Sequence, residues 1–468
     1  MLWFNLFLPR SSMNWLKKST ALALALMTVG LGCSGLSASE QAQVKAITLN
    51  YWTVFGDADA LQQLANQYKQ QRPYVTINIR QLRYDEIDKL FTNALADDVP
   101  PDIISVHARL MDHYQARLAP MPSDVKVAKL TQTGGLKKEL QVTTEVFAMP
   151  TAVAIKRDYV SAIGVDAIVG NQVFGLPLSM DTLAIYYNKD LLDKAGIPEP
   201  PKTWDEFMAA AKAGTKYDRD GKIIQSGVAM GTGKNIDNSF DILSALMMQN
   251  GVTMAGSGRV SFADGVDKAG PLHPSLQALD FYTNFARPST DAYAWNDTFP
   301  NAFEAFVRGQ SVFYVGFAYD YNRLKSRAPE MALEVIPLPQ LAPASPVNSG
   351  NFWLESVVKK SKHQNEAWDF IRFMSQPANL LAYNTRVVRP SPLRAHIKEQ
   401  EKDPRLVPFT SQLLVAKNWY NGQDWEAARQ AFNDLVAGYL LPPAEDKDPI
   451  ERNSKLLITA AQIVQQTF

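Results

Sequence analysis

Hydrophobic positions along this chain switch repeatedly between a period of two and a period near 3.6, the signatures of strand and helix. Residues 47–55 (ITLNYWTVF) read as a strand that runs out at Gly56 and Asp57. A helix follows with Leu61, Leu64, Ala65 and Tyr68 on one face, and Pro73 ends it. Residues 75–79 (VTINI) alternate as a second strand, and residues 85–96 form a helix facing inward through Ile87, Leu90, Phe91 and Ala94. After Pro100 and Pro101 comes a third strand at 102–106 (DIISV), then a helix over about 109–117. This β-α-β-α-β-α order predicts a parallel sheet with helices on both faces. In such sheets a ligand lies beyond the carboxyl ends of the strands, which points at residues 52–57 and 105–109.

The pattern then weakens. Residues 120–170 predict short strands and loops. It sharpens again at 174–207. There, residues 182–187 (TLAIYY) read as a buried strand, and residues 190–195 as helical turns stopped by Gly196 and Pro198. Thr203 with Glu206 three residues on is a capping box for the next helix. Tyr186, Tyr187, Trp204 and Trp368 fall at core positions. Asp218-Arg219-Asp220-Gly221 reads as a hairpin turn rather than a calcium loop, because no glutamate follows at the required spacing. Asn235 to Asn238 open a helix that buries Ile242, Leu243, Leu246 and Met247. Residues 292–299 (AYAWNDTF) form an aromatic loop, 310–317 and 333–338 are strands, 364–374 is a helix, and the chain beyond Pro377 is mostly helical. At 468 residues it exceeds one core, so two or more domains are expected.

Charge and composition narrow the classes. Lys plus Arg equals Asp plus Glu at 47 each, which leaves no net field for nucleic acid or an acidic membrane. Cys33 is the single cysteine, so neither an internal disulfide nor a cysteine metal site is possible, and no metal or cofactor is expected. Lys17 and Lys18 precede an apolar run at 21–32, too short to span a bilayer and suited to a signal-peptide core. Met13 opens a tidier leader than Met1. Cys33 directly after that run resembles a bacterial lipobox, with Leu31 and Gly32 in place but Gly30 where leucine is usual. Cleavage near residues 37–39, giving a free secreted protein, is the alternative. Residues 1–33 are thus a signal peptide with a lipobox, and 34–43 a flexible polar tether.

The stretch FGLPLSMDTLAIYYNKDLLDKAGIPEPPKTWDEF resembles the family 1 extracellular solute-binding proteins of ABC importers, the relatives of maltose-binding protein. "PDIISV", "ARLAPM", "AFVRGQSVFYVG" and "SGNFWLESVVKKSKHQNEAWDFIRFMSQP" resemble further landmarks of that family, in order. The segment from about Met121 to Gly170 does not match. The resemblance implies an α/β, two-lobed periplasmic-binding-protein fold of type II, with doubly wound lobes, a hinge and a ligand cleft between the lobes. The first crossing between lobes would fall near residues 179–183, a second near 350–352 and a third around 375–383. Lobe one would comprise 44–180 plus 353–377, and lobe two 181–350 plus 378–468.

A sugar site needs aromatic faces to stack on C–H surfaces and polar side chains to pair with hydroxyls. Residues at strand ends or crossings that meet this need are Trp52, Phe55 and Asp57, then His107 and Arg109, and Asp181 at the first crossing. In the second lobe they are Asn235 and Asp237, Tyr293 and Trp295, Gly316 and Phe317. Trp353 follows the second crossing, and Arg389, with Arg386 nearby, lies in "NTRVVRPSP", where the resemblance implies a ligand-facing turn. Each has a structural alternative as core, cap or ion pair.

The resemblance implies a non-catalytic receptor that captures a small molecule, most readily a sugar or oligosaccharide, and presents it to membrane permease subunits. It would act as a monomer held by a lipid on Cys33, facing the periplasm or cell exterior, or as a soluble periplasmic protein. Two alternatives stand beside it: a sensor of the same fold that serves a signalling partner, and an exported glycosidase using two carboxylates. No G-x-S-x-G, HExxH, P-loop or GxGxxG motif supports an enzyme, and only five histidines are present.

Overall fold

The computed structural model describes residues 36–54, 57–133, 139–442 and 448–468. The leader, Cys33 and Phe55 lie outside the described residues. The first sheet has the order Val75–Gln81, Ile47–Thr53, Ile103–His107, Trp353–Val358, Leu118–Ala119. The first three strands are parallel, as their alternation with helices requires. The fourth arrives from far along the chain and runs antiparallel to Ile103–His107. Position in the sheet explains the sequence of each strand. Ile103–His107 is central and buries all five residues, whereas Val75–Gln81 is an edge and alternates. Helix Ala58–Gln71 packs on this sheet through Leu61, Leu64, Ala65 and Tyr68, the face predicted from period.

The second sheet has the order Lys216–Tyr217, Ile223–Val228, Ser311–Gly316, Ala184–Asn188, Leu333–Pro337. Ala184–Asn188 is fully buried and antiparallel to both neighbours. Helix Trp204–Gly214 starts with the expected capping box, Thr203 and Glu206 each bonding the other's backbone N–H at 3.2 and 3.3 Å. Asp218 Oδ1 accepts from the amides of Asp220 and Lys222, which makes the DRDG run a tight turn.

Buried apolar side chains form two separate cores. Leu49, Tyr51, Phe91, Ile104, Leu354 and Phe370 belong to the first. Tyr186, Phe207, Leu243, Trp295, Phe306 and Phe313 belong to the second. Trp368 joins the first, and Tyr187 and Trp204 the second.

Three expectations need correction. Helix Pro377–Val387, expected in the second lobe, buries Leu380, Tyr383 and Val387 in the first core, and Leu393 follows it there. The chain touches the second core at Phe409, returns to the first at Leu413 and Ala416, and makes its final passage between Ala416 and Tyr420. Residues 38–43, expected as a flexible tether, form helix Ala38–Gln43, because Ser37 and Glu40 make a capping box. The unpatterned stretch after Met121 contains a long hairpin, Asp124–Thr133 paired with Glu139–Ala148. Its base buries Val125, Val127 and Ala128 while its far end stays in solvent, so no single period runs through it.

Candidate functional site: the seam between two cores

Every strand that passes between the two cores meets in one small sheet, ordered Ala416–Lys417, Asn348–Asn351, Asp181–Thr182. Asn348 sits at its centre, fully buried. It accepts from the Leu183 amide (3.2 Å) and donates to the Leu183 carbonyl (2.8 Å) and to Gln412 (2.7 Å). This sheet floors a seam whose walls are the two lobes.

A buried charge cluster sits beside that floor. Arg389 donates to both oxygens of Asp181, at 3.3 and 2.8 Å, and to Asp57 at 3.1 Å. Tyr383 adds a bond to Asp57 at 3.0 Å. Asp57 precedes helix Ala58–Gln71 but does not cap it, because its carboxylate is taken up here. Arg389 is aimed by the end of helix Pro377–Val387, where Val388 adopts a left-handed φ of 53° that β-branched residues avoid. Buried Asn384 ties the same helix to the Leu178 carbonyl at 2.8 Å, three residues before Asp181. Burial raises the Asp181 pKa despite Arg389.

Higher in the seam, side chains from the two lobes touch. Arg109, on the turn after Ile103–His107, donates to Asp241 of the second lobe at 2.8 Å and lies 4.1 Å over the Trp425 ring. Ser349 holds the same Asp241 oxygen at 3.1 Å. His107 Nδ1 accepts from the Arg109 amide, so its Nε2 carries the proton and donates to Asn351 at 2.9 Å. Burial, then the Arg109 charge, push the His107 pKa well down, and the imidazole is neutral. Trp353 packs edge-on to His107 at 5.0 Å and to half-exposed Tyr84 at 5.7 Å. Trp52 lies under the Arg80 guanidinium at 5.2 Å.

Arg109 Nε is buried without a hydrogen-bond partner among the described residues, as are Ser179 Oγ and Asn384 Oδ1 nearer the connecting sheet. Burial pushes the nearby Asp166 carboxyl up to about 7, while hydrogen bonds from Asn418 and Asn421 and the Arg109 charge favour its ionised form.

Of the residues expected at a ligand site, the seam therefore gathers Asp57, His107, Arg109, Asp181, Trp353 and Arg389, while Trp52 stays with Arg80 on the first sheet. Others lie elsewhere. Trp295 is fully buried, stacked on Phe299 at 4.5 Å, with its indole N–H on Asn235. Asn235 is taken up inside the second lobe by Asn296, Phe299 and Thr232. Tyr293 stacks on Tyr217 at the outer strand of the second sheet. Phe317 is fully buried, and the neighbouring ring, Tyr319, lies in the field of both Asp181 and Asp241. Gly316 is a close-approach position, where a Cβ would meet the Tyr314 ring at 2.5 Å. Asp237 accepts from Asn301 at 2.8 Å.

Sequence reasoning missed Tyr84, Asp241 and Trp425. Tyr84 follows the second strand's carboxyl end, and the rule applied to the first and third strands would have found it. Asp241 and Trp425 lie within or at the start of helices and carry no such signal.

Residues 63–403 match the family model described as bacterial extracellular solute-binding protein. The chain belongs to that family. This solute-binding protein is 21% identical over 441 residues to the multiple sugar-binding protein of Streptococcus mutans, covering 92% of this chain and 94% of that one. Among solved structures it resembles the sugar-binding protein MalE of Xanthomonas citri, with a TM-score of 0.64 at 18% identity over 90% of this chain and 98% of that one. UgpB of Mycobacterium tuberculosis, in complex with glycerophosphocholine, gives 0.67 at 14% identity, over 90% and 99%. These likenesses bear out the two-lobed α/β fold. The family is one of exported binding proteins, not enzymes. Among the described residues no group of metal-binding side chains occurs, and no helix is long and apolar enough to cross a membrane.

Proposed function

We propose that this protein is the receptor of an ABC importer, and that it captures a carbohydrate in the seam between its lobes and delivers it to a membrane permease. The observation that carries this reading is an orphaned buried donor in the seam, set against an aromatic face. Arg109 Nε is buried without a partner among the described residues, next to the half-buried ring of Trp425. A hydroxylated ring supplies an acceptor for that donor and a C–H face for the indole. The sugar-binding names of its relatives point the same way. The ligand stabilises the closed arrangement by differential binding, and the connecting sheet acts as the hinge. The lobe limits that go with this reading follow the two cores: 44–180 with 352–393 and 413–416, and 183–338 with 409 and 420–464. The protein acts as a monomer on a lipid attached to Cys33, and Cys33→Ser should shift it from the membrane fraction to the soluble one.

A thermal-shift screen against a sugar library tests the carbohydrate assignment, since a ligand that binds only the folded state raises Tm. A hit lost in Trp425→Ala supports it. One observation favours a second reading: a guanidinium already lies on the Trp425 face beside Asp241, an arrangement that also suits a cationic ligand. If only cationic or phosphorylated compounds raise Tm, the carbohydrate assignment fails.

A further inference from the structure

A second concavity shares no residue with the seam. It lies on the first lobe, between the base of the long hairpin, the turn joining helices Gln364–Met374 and Pro377–Val387, and the loop at 393–395, and its volume is about 660 Å³. That is the size of a small-molecule site. Much of one wall, including Met149, Arg157 and Tyr159, comes from the segment after Met121 that carries least of the family's pattern.

The chemistry of the walls is one-sided. Three arginines line it, Arg157, Arg372 and Arg394, against a single acid, Asp158. Asp158 is taken up by Arg157 at 2.7 Å on the exposed rim. Arg372 shares buried Asp369 with Arg72, and lays its guanidinium 3.9 Å over Phe147. Arg394 bonds only neutral acceptors among the described residues, the Tyr159 carbonyl at 2.7 Å and the Ser161 hydroxyl at 2.8 Å. Ser375 Oγ is buried and has no partner among the described residues. It stands just before the eleven-residue helix Pro377–Val387, whose N-terminus has no side-chain cap. Unpaired N–H groups at such an end favour negative charge. Between these polar points the surface is apolar, formed by Met149, Leu176 and Leu393.

We infer that this cavity is a second binding site, and that it takes a small organic anion with a carboxylate or phosphate head and an apolar body. The head meets Arg394 and Arg372, and the body lies on the apolar wall. Charge-assisted contacts of this kind give both affinity and orientation.

The test uses the mature full-length protein and isothermal titration with octanoate, octyl phosphate, 1-octanol and inorganic phosphate. Binding of either amphiphilic anion at one site per chain is expected. Octanol and inorganic phosphate should each bind about tenfold or more weaker, because each lacks one half of the ligand. Arg394→Gln should weaken the anion by about tenfold, and Ala395→Trp, at an exposed rim position, should do the same by obstruction without touching a charge. Trp425→Ala in the seam should leave it unchanged, so this site and the solute site fail separately. The inference is overturned if neither anion binds, if octanol binds as well as octanoate, if both rim variants keep full affinity, or if Trp425→Ala abolishes binding.

Discussion

Asp181 gives the most discriminating experiment on the seam. As a solute contact it would tolerate Asp181→Ala with weakened binding and unchanged stability. Its surroundings say otherwise. The Asp181 side chain is 1% exposed and chelates Arg389, itself 4% exposed, while Asp57 at 19% exposure is the second carboxylate on that guanidinium. Breaking a buried ion pair by removing one partner costs about 3–5 kcal/mol. Asp181→Ala leaves Arg389 paired with Asp57, and burial already raises the Asp181 pKa against the pull of Arg389. The loss should therefore be about 2–3 kcal/mol, below the full range. Arg389→Met is the harsher change, because it leaves two carboxylates facing each other, one of them fully buried; about 3–5 kcal/mol is expected. Urea unfolding followed by circular dichroism at pH 7 measures both, and the double variant gives the coupling. If Asp181→Ala unfolds within about 0.5 kcal/mol of wild type, or if Arg389→Met is the milder change, the cluster is not structural and the argument is wrong.

Trp204→Ala should cost about 3–5 kcal/mol, since the ring packs edge-on to Phe207 and Phe281 and bonds Gln249; the same urea titration checks it, and solute affinity should not change in the fraction that folds. Arg109→Ala cuts the bridge to Asp241 and Trp425, so small-angle scattering should report a larger mean radius of gyration without solute, and an unchanged radius would count against an interlobe latch. Glu355 is buried, and that burial pushes its pKa up to about 7 although Ser105 and Tyr51 donate to it at 2.6 Å. The folded state then holds a proton that the unfolded state releases near pH 4.5, so stability falls as pH rises from about 4.5 to about 7, at up to about 1.4 kcal/mol per pH unit. Glu355→Gln should flatten that decline and raise Tm at pH 8; an unaltered pH profile would show that Glu355 does not titrate there.

What could be read from the sequence follows from how local each signal is. The first three strands and their helices were legible because each buries a single face that a period of 2 or 3.6 records, as at Leu61, Leu64 and Tyr68. The capping box at Thr203 was legible because it needs only four residues. The helix at 377–387 was legible as a helix but not by lobe. Which core receives Leu380 and Tyr383 depends on the turn at Gln376, and nothing in the helix's own pattern says which way it goes. The hairpin at 124–148 was illegible because only its base is buried, so two exposure regimes share one strand.

The site divides along the same line. Residues at strand ends, such as His107 and Arg109, were found because the topology of a parallel sheet fixes where its carboxyl edge points. Their partners were not found, because Asp241 and Trp425 reach the seam only through the way one lobe faces the other. Aromatic residue type was the weakest guide. Trp295 and Phe317 are as aromatic as Trp425, but the first two fill the second core and only Trp425 presents its face across the seam. Charged residue type misled in a different way. Asp57, Asp181 and Arg389 do converge beside the hinge, but they converge on one another, and a guanidinium held by two carboxylates has little left to offer a neutral sugar. An orphaned group is the better indicator: a buried donor left unpaired costs stability, and the folded chain keeps Arg109 Nε in that condition where Arg109 meets Asp241 across the lobes.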